Sequence, residues 1–310
     1  MILLEVYNEM KKILFISLIL FILTSCELYY KQNPYKINLI TIGLDYSHTD
    51  SDLDDLNKTL NDAQNVEEAF KFLSEKNNIE YTSKKYIQND EASSIYPSKT
   101  NIVNALIDIN NNSNKNTINI IYYSGHGSID GSWILAGKTN NIESEPYDIN
   151  LALDIDDIYN LLKDIKSNTV IISDSCYSGN FYKSSEYTIH EKDFTLKKSF
   201  EKLFSEKSEN ENIYFISATE EDNSSWEPNN EDTSGHGYFT NALLNGLGWD
   251  NSSQKITKEI PPAINNNILS LDSLLKYIKA NQDIDLLNNN NPSQYPQISG
   301  WRYDLTLFTY

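Results

Sequence analysis

The sequence predicts an α/β fold in which a mostly parallel sheet lies between layers of helices. Short runs of β-branched and aromatic residues are continuous rather than alternating, which is typical of strands covered on both faces. Amphipathic segments, with apolar residues three and four positions apart, separate these runs. Because strands that alternate with helices favour parallel pairing through right-handed crossovers, we expect one α/β layer structure.

The individual elements follow from these patterns. The predicted strands cover residues 37–44, 118–123, 169–173 and 213–217. The first helical pattern runs through Leu53, Leu56, Leu60, Ala63, Val66, Phe70 and Leu73. The other predicted helices cover residues 102–109, 155–165 and 271–278. We expect no second folded domain.

Composition limits the classes of function. The chain has 310 residues, of which 39% are hydrophobic, and this is enough to bury one large core. The 25 Lys and Arg residues against 44 Asp and Glu residues give a net charge of −19. Since such a surface repels a phosphate backbone, nucleic acid is not an expected partner. The two cysteines allow one disulfide at most.

The N-terminal segment has the pattern of an export signal. An apolar run over residues 13–23 follows two lysines and is too short to span a bilayer. It leads into Leu-Thr-Ser-Cys, ending at Cys26, which resembles the lipobox of bacterial lipoproteins. An ordinary signal peptide or an N-terminal anchor helix is the alternative, and Met10 is an alternative start to Met1.

This pattern predicts the organisation and location of the chain. We expect a lipoprotein signal peptide over residues 1–25, a tether over residues 26–36 and the folded domain over residues 37–310. Cys26 would become the acylated first residue of the mature protein, which would be exported and anchored in the membrane on the periplasmic or cell-surface side.

Two motifs at strand ends carry reactive side chains. His126 follows the predicted strand 118–123 in a Ser-Gly-His-Gly motif, and Cys176 follows the strand 169–173 in Asp-Ser-Cys-Tyr-Ser-Gly. Because reactive groups collect beyond the carboxyl ends of parallel strands, neighbouring strands would bring these two residues together. An imidazole can then activate the thiol as a nucleophile. Taken singly, the cysteine also fits a small buried side chain and the histidine segment also fits a turn.

The spacing of these motifs changes their interpretation. His126 precedes Cys176 by 50 residues, which is typical of caspases. Further matching segments are Asn61-Asp62-Ala63, Ser217-Ala218-Thr219, Gly237-Tyr238-Phe239-Thr240 and Gln294-Tyr295-Pro296-Gln297-Ile298. On these motifs the chain resembles the caspase and metacaspase group of cysteine peptidases over residues 37–310.

The resemblance implies a fold and a mechanism. The fold would be a three-layer sandwich with a six-stranded, mostly parallel sheet between helices. The site would contain a His126/Cys176 dyad and an oxyanion hole formed by the backbone N–H groups of Gly127 and Cys176. No cofactor would be required for the chemistry, and the partner would be a peptide or protein substrate.

Departures from the caspase pattern predict the substrate. Asp174 stands where caspases have glutamine in the segment before the nucleophile, and Glu227 follows Ser-Trp where caspases have arginine. In metacaspases, the acids that match Asp62 and Asp174 line a pocket for arginine or lysine. The resemblance therefore implies cleavage after Lys or Arg. Alternatively, Asp62 is a solvated helix flank, Asp174 a structural hydrogen-bond acceptor and Glu227 an exposed loop acid.

Other polar residues are weaker candidates. His236, in a second Gly-His-Gly motif, is the rival for the histidine role, whereas His48 and His190 fit surface positions. A cluster of acids fits a helix N-terminus, with calcium as the less favoured alternative. These acids are Asp154, Asp156 and Asp157.

The sequence as a whole predicts a lipid-anchored cysteine endopeptidase. Its alternative is a catalytically silent surface lipoprotein that keeps the fold as a binding module. An intact histidine and cysteine pair favours the peptidase.

Overall fold

The structure is a computed structural model that describes most of the chain beyond the N-terminal segment. It describes residues 34–47, 53–88, 93–128, 132–137, 151–177, 212–219, 225–228, 235–282, 294, 296–299 and 305–310, with the backbone alone at 155, 156, 176, 177 and 297–299. These residues belong to one compact unit, Pro34–Tyr310. The predicted signal peptide and most of the predicted tether lie outside them. No helix in the described part of the chain is long and apolar enough to cross a membrane.

Strands and helices alternate as the sequence predicts. The strands are β1 (Lys36–Gly43), β2 (Glu80–Ile87), β3 (Thr117–Gly127), β4 (Trp133–Ile134), β5 (Ala152–Leu153), β6 (Asn168–Tyr177), β7 (Ile213–Ser217), β8 (Trp249–Asp250), β9 (Lys255–Ile256), β10 (Ile268–Ser270), β11 (Gln297–Ser299) and β12 (Thr306–Thr309). The helices are α1 (Thr59–Lys76), α2 (Lys99–Asn112), α3 (Ile155–Leu162), α4 (Tyr238–Leu247) and α5 (Leu271–Asn281).

The main sheet has the predicted topology. Its strand order is β11-β7-β6-β3-β1-β2, with β4 and β5 attached beside β3. Strands β2, β1, β3, β6 and β7 pair in parallel, and β11 pairs antiparallel to β7. The apolar core on one face includes residues of α1, α4 and α5, and the core on the other face includes residues of α2 and α3. The predicted three-layer α/β fold with a mostly parallel sheet is confirmed.

Two of the strands extend beyond their predicted ends. The apolar patterns end at Tyr123 and Ser173, yet β3 continues to Gly127 and β6 continues to Tyr177. Backbone pairing between the two strands persists because it does not depend on side-chain polarity, and this part of β3 is buried. The expectation that His126 and Cys176 follow the ends of their strands was wrong, since each is the penultimate residue of its strand, in β3 and β6 respectively.

The first helix begins later than its apolar pattern predicts. Helix α1 starts at Thr59, whereas the pattern begins at Leu53. Leu53 is buried in the core on one face of the sheet, while Ala63 and Val66 of the helix belong to the core on the other face. The segment before α1 therefore crosses from one face of the sheet to the other. The leucines of this segment match the helical spacing of apolar residues, although they lie outside the helix.

Candidate active site

The pairing of β3 with β6 places His126 beside Cys176. The strands are in register from Ile118 opposite Asn168 to Gly127 opposite Tyr177, and His126 is paired with Cys176. Both positions lie near the carboxyl ends of their strands, where reactive groups of open α/β sheets collect. The backbone alone is therefore sufficient to make the histidine and the cysteine neighbours.

One ring nitrogen of His126 is fixed by the backbone. Its Nε2 lies 2.7 Å from the carbonyl oxygen of Asp54. Because a carbonyl only accepts, Nε2 carries a hydrogen, and in the neutral ring the basic lone pair belongs to Nδ1. Burial lowers the pKa of His126, although the Asp54 carbonyl raises it in part. The imidazole is therefore neutral near pH 7 and able to accept a proton.

Tyrosine hydroxyls hold the backbone of His126. The Tyr46 hydroxyl accepts from the His126 N–H at 2.9 Å and donates to the Ile134 carbonyl at 2.6 Å. The Tyr123 hydroxyl donates to the His126 carbonyl at 2.6 Å. The Tyr46 ring also lies against the imidazole, with 4.6 Å between ring centroids. Tyr46 has a φ of 62°, and its backbone N–H donates to the Gln88 side chain at 2.9 Å.

A small pocket of about 30 Å³, open to solvent, lies at the same edge of the sheet. Its lining contains the three acids that the sequence predicts for substrate selection, Asp62, Asp174 and Glu227. The other lining residues are Leu56, Thr59, Ser124, Gly125, Ser225, Trp226 and Gly237. Since Gly125 directly precedes His126 in β3, the pocket adjoins the histidine.

Asp174 is buried and bonded to hydroxyl groups. Its Oδ1 accepts from Ser225 at 2.5 Å, and its Oδ2 accepts from Thr240 at 2.6 Å. Gln294 donates to the Ser225 hydroxyl at 3.2 Å and thereby fixes it. Burial, with the nearby charge of Asp62 as the second cause, raises the pKa of Asp174 to about 7. This carboxyl group is therefore poised to lose its proton when a cation enters.

Asp62 lies on helix α1 and faces Asp174 across Gly237. A Cβ atom at Gly237 would lie 3.0 Å from Oδ2 of Asp174 and 3.4 Å from Oδ2 of Asp62. The two carboxyl oxygens thus lie close to the same side of Gly237, where the side chain of a larger residue would crowd them. Burial raises the pKa of Asp62, against the opposing effect of its hydrogen bonds.

His236 is the residue whose place in the site the sequence did not predict. Its Nδ1 lies 2.9 Å from Oδ1 of Asp62, and both side chains are buried. The sequence offered it as a rival catalytic histidine, and its Gly-His-Gly motif gave no indication of a partner 174 positions away.

Glu227 connects its loop to the start of helix α1. Its two carboxylate oxygens accept from the backbone N–H groups of Asn57 at 2.9 Å and Lys58 at 3.1 Å. A carboxylate at this position satisfies donors at a helix N-terminus, a role that a side chain of the helix usually fills. Burial raises the pKa of Glu227. The acid therefore orients the pocket wall that carries Asp62.

The other predicted site residues are distributed as follows. Gly127 is the last residue of β3, and Asp154 directly precedes α3, whose first turn contains Asp157. Cys26, His48 and His190 lie outside the described residues. Within the described part of the chain, no group of three or more His, Cys, Asp or Glu residues could hold a metal ion.

Comparison with known proteins agrees with this fold, a mostly parallel sheet between layers of helices. A caspase-domain family model matches residues 39–302, and the chain belongs to this family. Membership supports activity as a cysteine peptidase and implies a peptide or protein substrate.

Solved structures resemble the chain over most of its length. Caspase-1 from Spodoptera frugiperda matches with a TM-score of 0.52 and 12% identity, covering 88% of this chain and 89% of that chain. A protein from Geobacter sulfurreducens matches with a TM-score of 0.47 and 18% identity, covering 85% and 92%. The likeness to caspase-1 shows the fold. Comparison with the curated proteins finds no significant match.

The Tyr46 hydroxyl should be required for the position of His126. Tyr46→Phe keeps the ring but removes the acceptor of a buried N–H group, so we expect unfolding to become easier by about 1 to 3 kcal/mol. Displacement of the imidazole should lower kcat/KM roughly tenfold or more. Urea unfolding and peptidase assays measure both effects. Tyr86→Phe, which removes a hydroxyl from edge strand β2, is the control, and equal effects of the two substitutions would contradict this role.

Proposed function

We propose that the protein is a cysteine endopeptidase in which Cys176 is the nucleophile and His126 is the general base and acid. The observation that carries this proposal is the pairing of these two residues on neighbouring parallel strands. The contact between His126 Nε2 and the Asp54 carbonyl supports it, because this contact leaves Nδ1 as the basic nitrogen.

The proposed reaction proceeds through an acyl-enzyme. His126 takes the thiol proton, and the sulfur electron pair forms a bond to the scissile carbonyl carbon. The resulting oxyanion would accept hydrogen bonds from the backbone N–H groups of Gly127 and Cys176. His126 then donates its proton to the leaving amine as the C–N bond breaks. Water, deprotonated by His126, adds to the thioester, and cleavage of the C–S bond returns the thiol. Each step uses groups of the protein alone.

Loss of either member of the dyad should abolish hydrolysis. We expect Cys176→Ala and His126→Ala each to lower kcat/KM by at least about 100-fold, and the double variant to be no worse than either single one. His48→Ala is the matched histidine control and should retain activity. Fluorogenic peptide hydrolysis measures these rates. Substantial activity in either single variant would reject the assignment, and peptide binding without hydrolysis by the unmodified protein would favour a binding module.

We further propose that the protein cleaves after lysine or arginine. Two buried carboxyl groups that line the same pocket and lie on the same side of Gly237 support this, because a substrate cation that enters the pocket can pair with both. A neutral side chain would leave the acids without a counter-charge in a partly desolvated site. Glu227 accepts from the backbone N–H groups at the start of α1, so we assign it to the support of the pocket wall. We assign direct recognition to Asp62 and Asp174, whose Oδ2 atoms lie on the same side of Gly237 in the pocket lining.

Asp174→Asn should selectively impair hydrolysis of basic substrates. The shape is preserved, and the Ser225 and Thr240 hydroxyls can reorient toward an amide. Because one partner of a buried charge pair is lost, kcat/KM for Lys and Arg substrates should fall by roughly 30-fold or more. Asp157→Asn, in the first turn of α3, controls for the change in net charge.

The preference of this pocket for a basic side chain should depend on pH, and the direction of the change can be predicted. The ratio of kcat/KM for a lysine substrate to that for its norleucine analogue cancels the titration of the dyad. This ratio should fall as the pH drops through about 7, because Asp174 then becomes protonated. A preference for aspartate, or a ratio unaffected by Asp174→Asn, would contradict the acidic pocket.

We also propose that the chain is exported and anchored through lipidated Cys26. The support is the Leu-Thr-Ser-Cys sequence after a short apolar run. Cys26→Ser should yield uncleaved precursor or protein released from the membrane, while Cys176→Ser should remain anchored. Detergent phase partition and mass spectrometry of the mature N-terminus measure this. Unmutated protein that partitions to the aqueous phase would contradict the anchor.

A further inference from the structure

A histidine lies behind one of the acids that line the pocket. His236 Nδ1 is 2.9 Å from Oδ1 of Asp62, and the side chains of both residues are almost completely buried. The same oxygen accepts from the Gly237 N–H at 3.3 Å, and Oδ2 accepts from the Ser124 hydroxyl at 3.1 Å. Asp62 is therefore surrounded by donors of the protein, and His236 makes the shortest of these three contacts.

The position of His236 is fixed from behind the pocket. Its Nε2 lies 3.3 Å from Nδ2 of Asn65, which is also bonded to Gln254 at 2.8 Å. Asn61 donates to the carbonyl of Gly235 at 2.7 Å and holds the backbone that leads into the histidine. These contacts join helix α1 to the segment before α4, so the imidazole has little freedom to leave Asp62.

Other charged groups near this pair come from several elements. Asp174 of β6 lies across Gly237, and Tyr122 of β3 bonds to the Thr240 hydroxyl. The side chain of Lys58 lies near Gly235, with its Nζ 3.9 Å from the position that a Cβ atom of residue 235 would take. Glu227 accepts a hydrogen bond from the backbone of Lys58 at the start of α1. Among these, Asp62 is the group that His236 contacts directly.

We propose that His236 is a specificity-determining positioning residue that acts through Asp62. It holds Asp62 in the ionised form and orients its Oδ2 toward the side of Gly237 where Oδ2 of Asp174 also lies. Without this donor, the two buried acids would share a proton, because like charges at close range do not both ionise in a desolvated site. This inference rests on the proposed function, since it explains how the pocket keeps its negative charge.

The test is the lysine-to-norleucine ratio of kcat/KM measured against pH in the parent, His236→Ala and His236→Asn. In His236→Ala the midpoint of this ratio should move upward by about one to two pH units, the effect of one lost hydrogen bond to a charged group. The ratio at pH 7 should fall roughly tenfold and recover at higher pH. His236→Asn, whose amide can donate from the position of Nδ1, should reverse at least half of the shift.

Each outcome has a definite meaning. A parent protein that hydrolyses lysine and norleucine substrates equally would overturn the acidic pocket and this inference together. A parent preference for lysine with an unchanged midpoint in His236→Ala would overturn this inference alone. A loss of the ratio that does not recover at high pH would also overturn it, because it would indicate a merely structural role. Should His236→Ala not fold, the midpoint in His236→Asn decides, with an upward shift expected and an unchanged midpoint overturning the inference.

Discussion

The parallel pairing of β3 with β6 is the constraint on which the rest of the site depends. The two strands stay in register to Gly127 opposite Tyr177. Their backbone pairing therefore continues beyond the apolar residues into the polar and glycine residues that follow. A slip by one residue would turn every side chain of a strand to the other face and separate His126 from Cys176. Helices cover both faces of the sheet, and the burial of its isoleucines therefore also fixes the geometry of the dyad.

Burial also gives the pocket its electrostatic character. Asp62 and Asp174 would be ordinary surface acids if they were solvated, but desolvation raises the pKa of each. Hydroxyl, backbone and imidazole donors offset part of this cost, and a substrate cation would supply the remainder. Burial lowers the pKa of His126, whereas it raises the pKa values of the two acids. The imidazole is therefore neutral near pH 7 and can accept a proton. The same desolvated edge of the sheet thus contains a neutral imidazole and two buried acids with raised pKa values.

The sequence predicted the layers of the fold better than the residues at which individual strands and helices begin and end. The β7 strand was predicted at its observed bounds because four of its five residues are apolar and all five are buried. The ends of β3 and β6 were missed because residues after Tyr123 and Ser173 are held by backbone pairing rather than by apolar burial. Helix α1 was predicted too long, since Leu53 packs on the opposite face of the sheet.

Within the site, residues inside recognisable motifs were predicted and long-range partners were not. His126, Cys176, Asp62 and Asp174 stand in motifs whose composition carries the chemistry. The tyrosine contacts of His126 and the pairing of His236 with Asp62 join segments far apart in the chain, and no local pattern encodes them. The capping of α1 by Glu227 is of the same kind, because the acceptor is 169 residues from the donor.

The measurement that tests the dyad most directly is the pH dependence of Cys176 alkylation by iodoacetamide, in the Cys26→Ser protein so that one thiol reacts. With a neutral imidazole as the proton acceptor, alkylation should be fast at pH 7 and should slow only below the usual pKa of histidine, about 6.5. In His126→Ala the rate should instead follow a free thiol with a pKa near about 8.5. The same pH dependence with and without His126 would contradict the account.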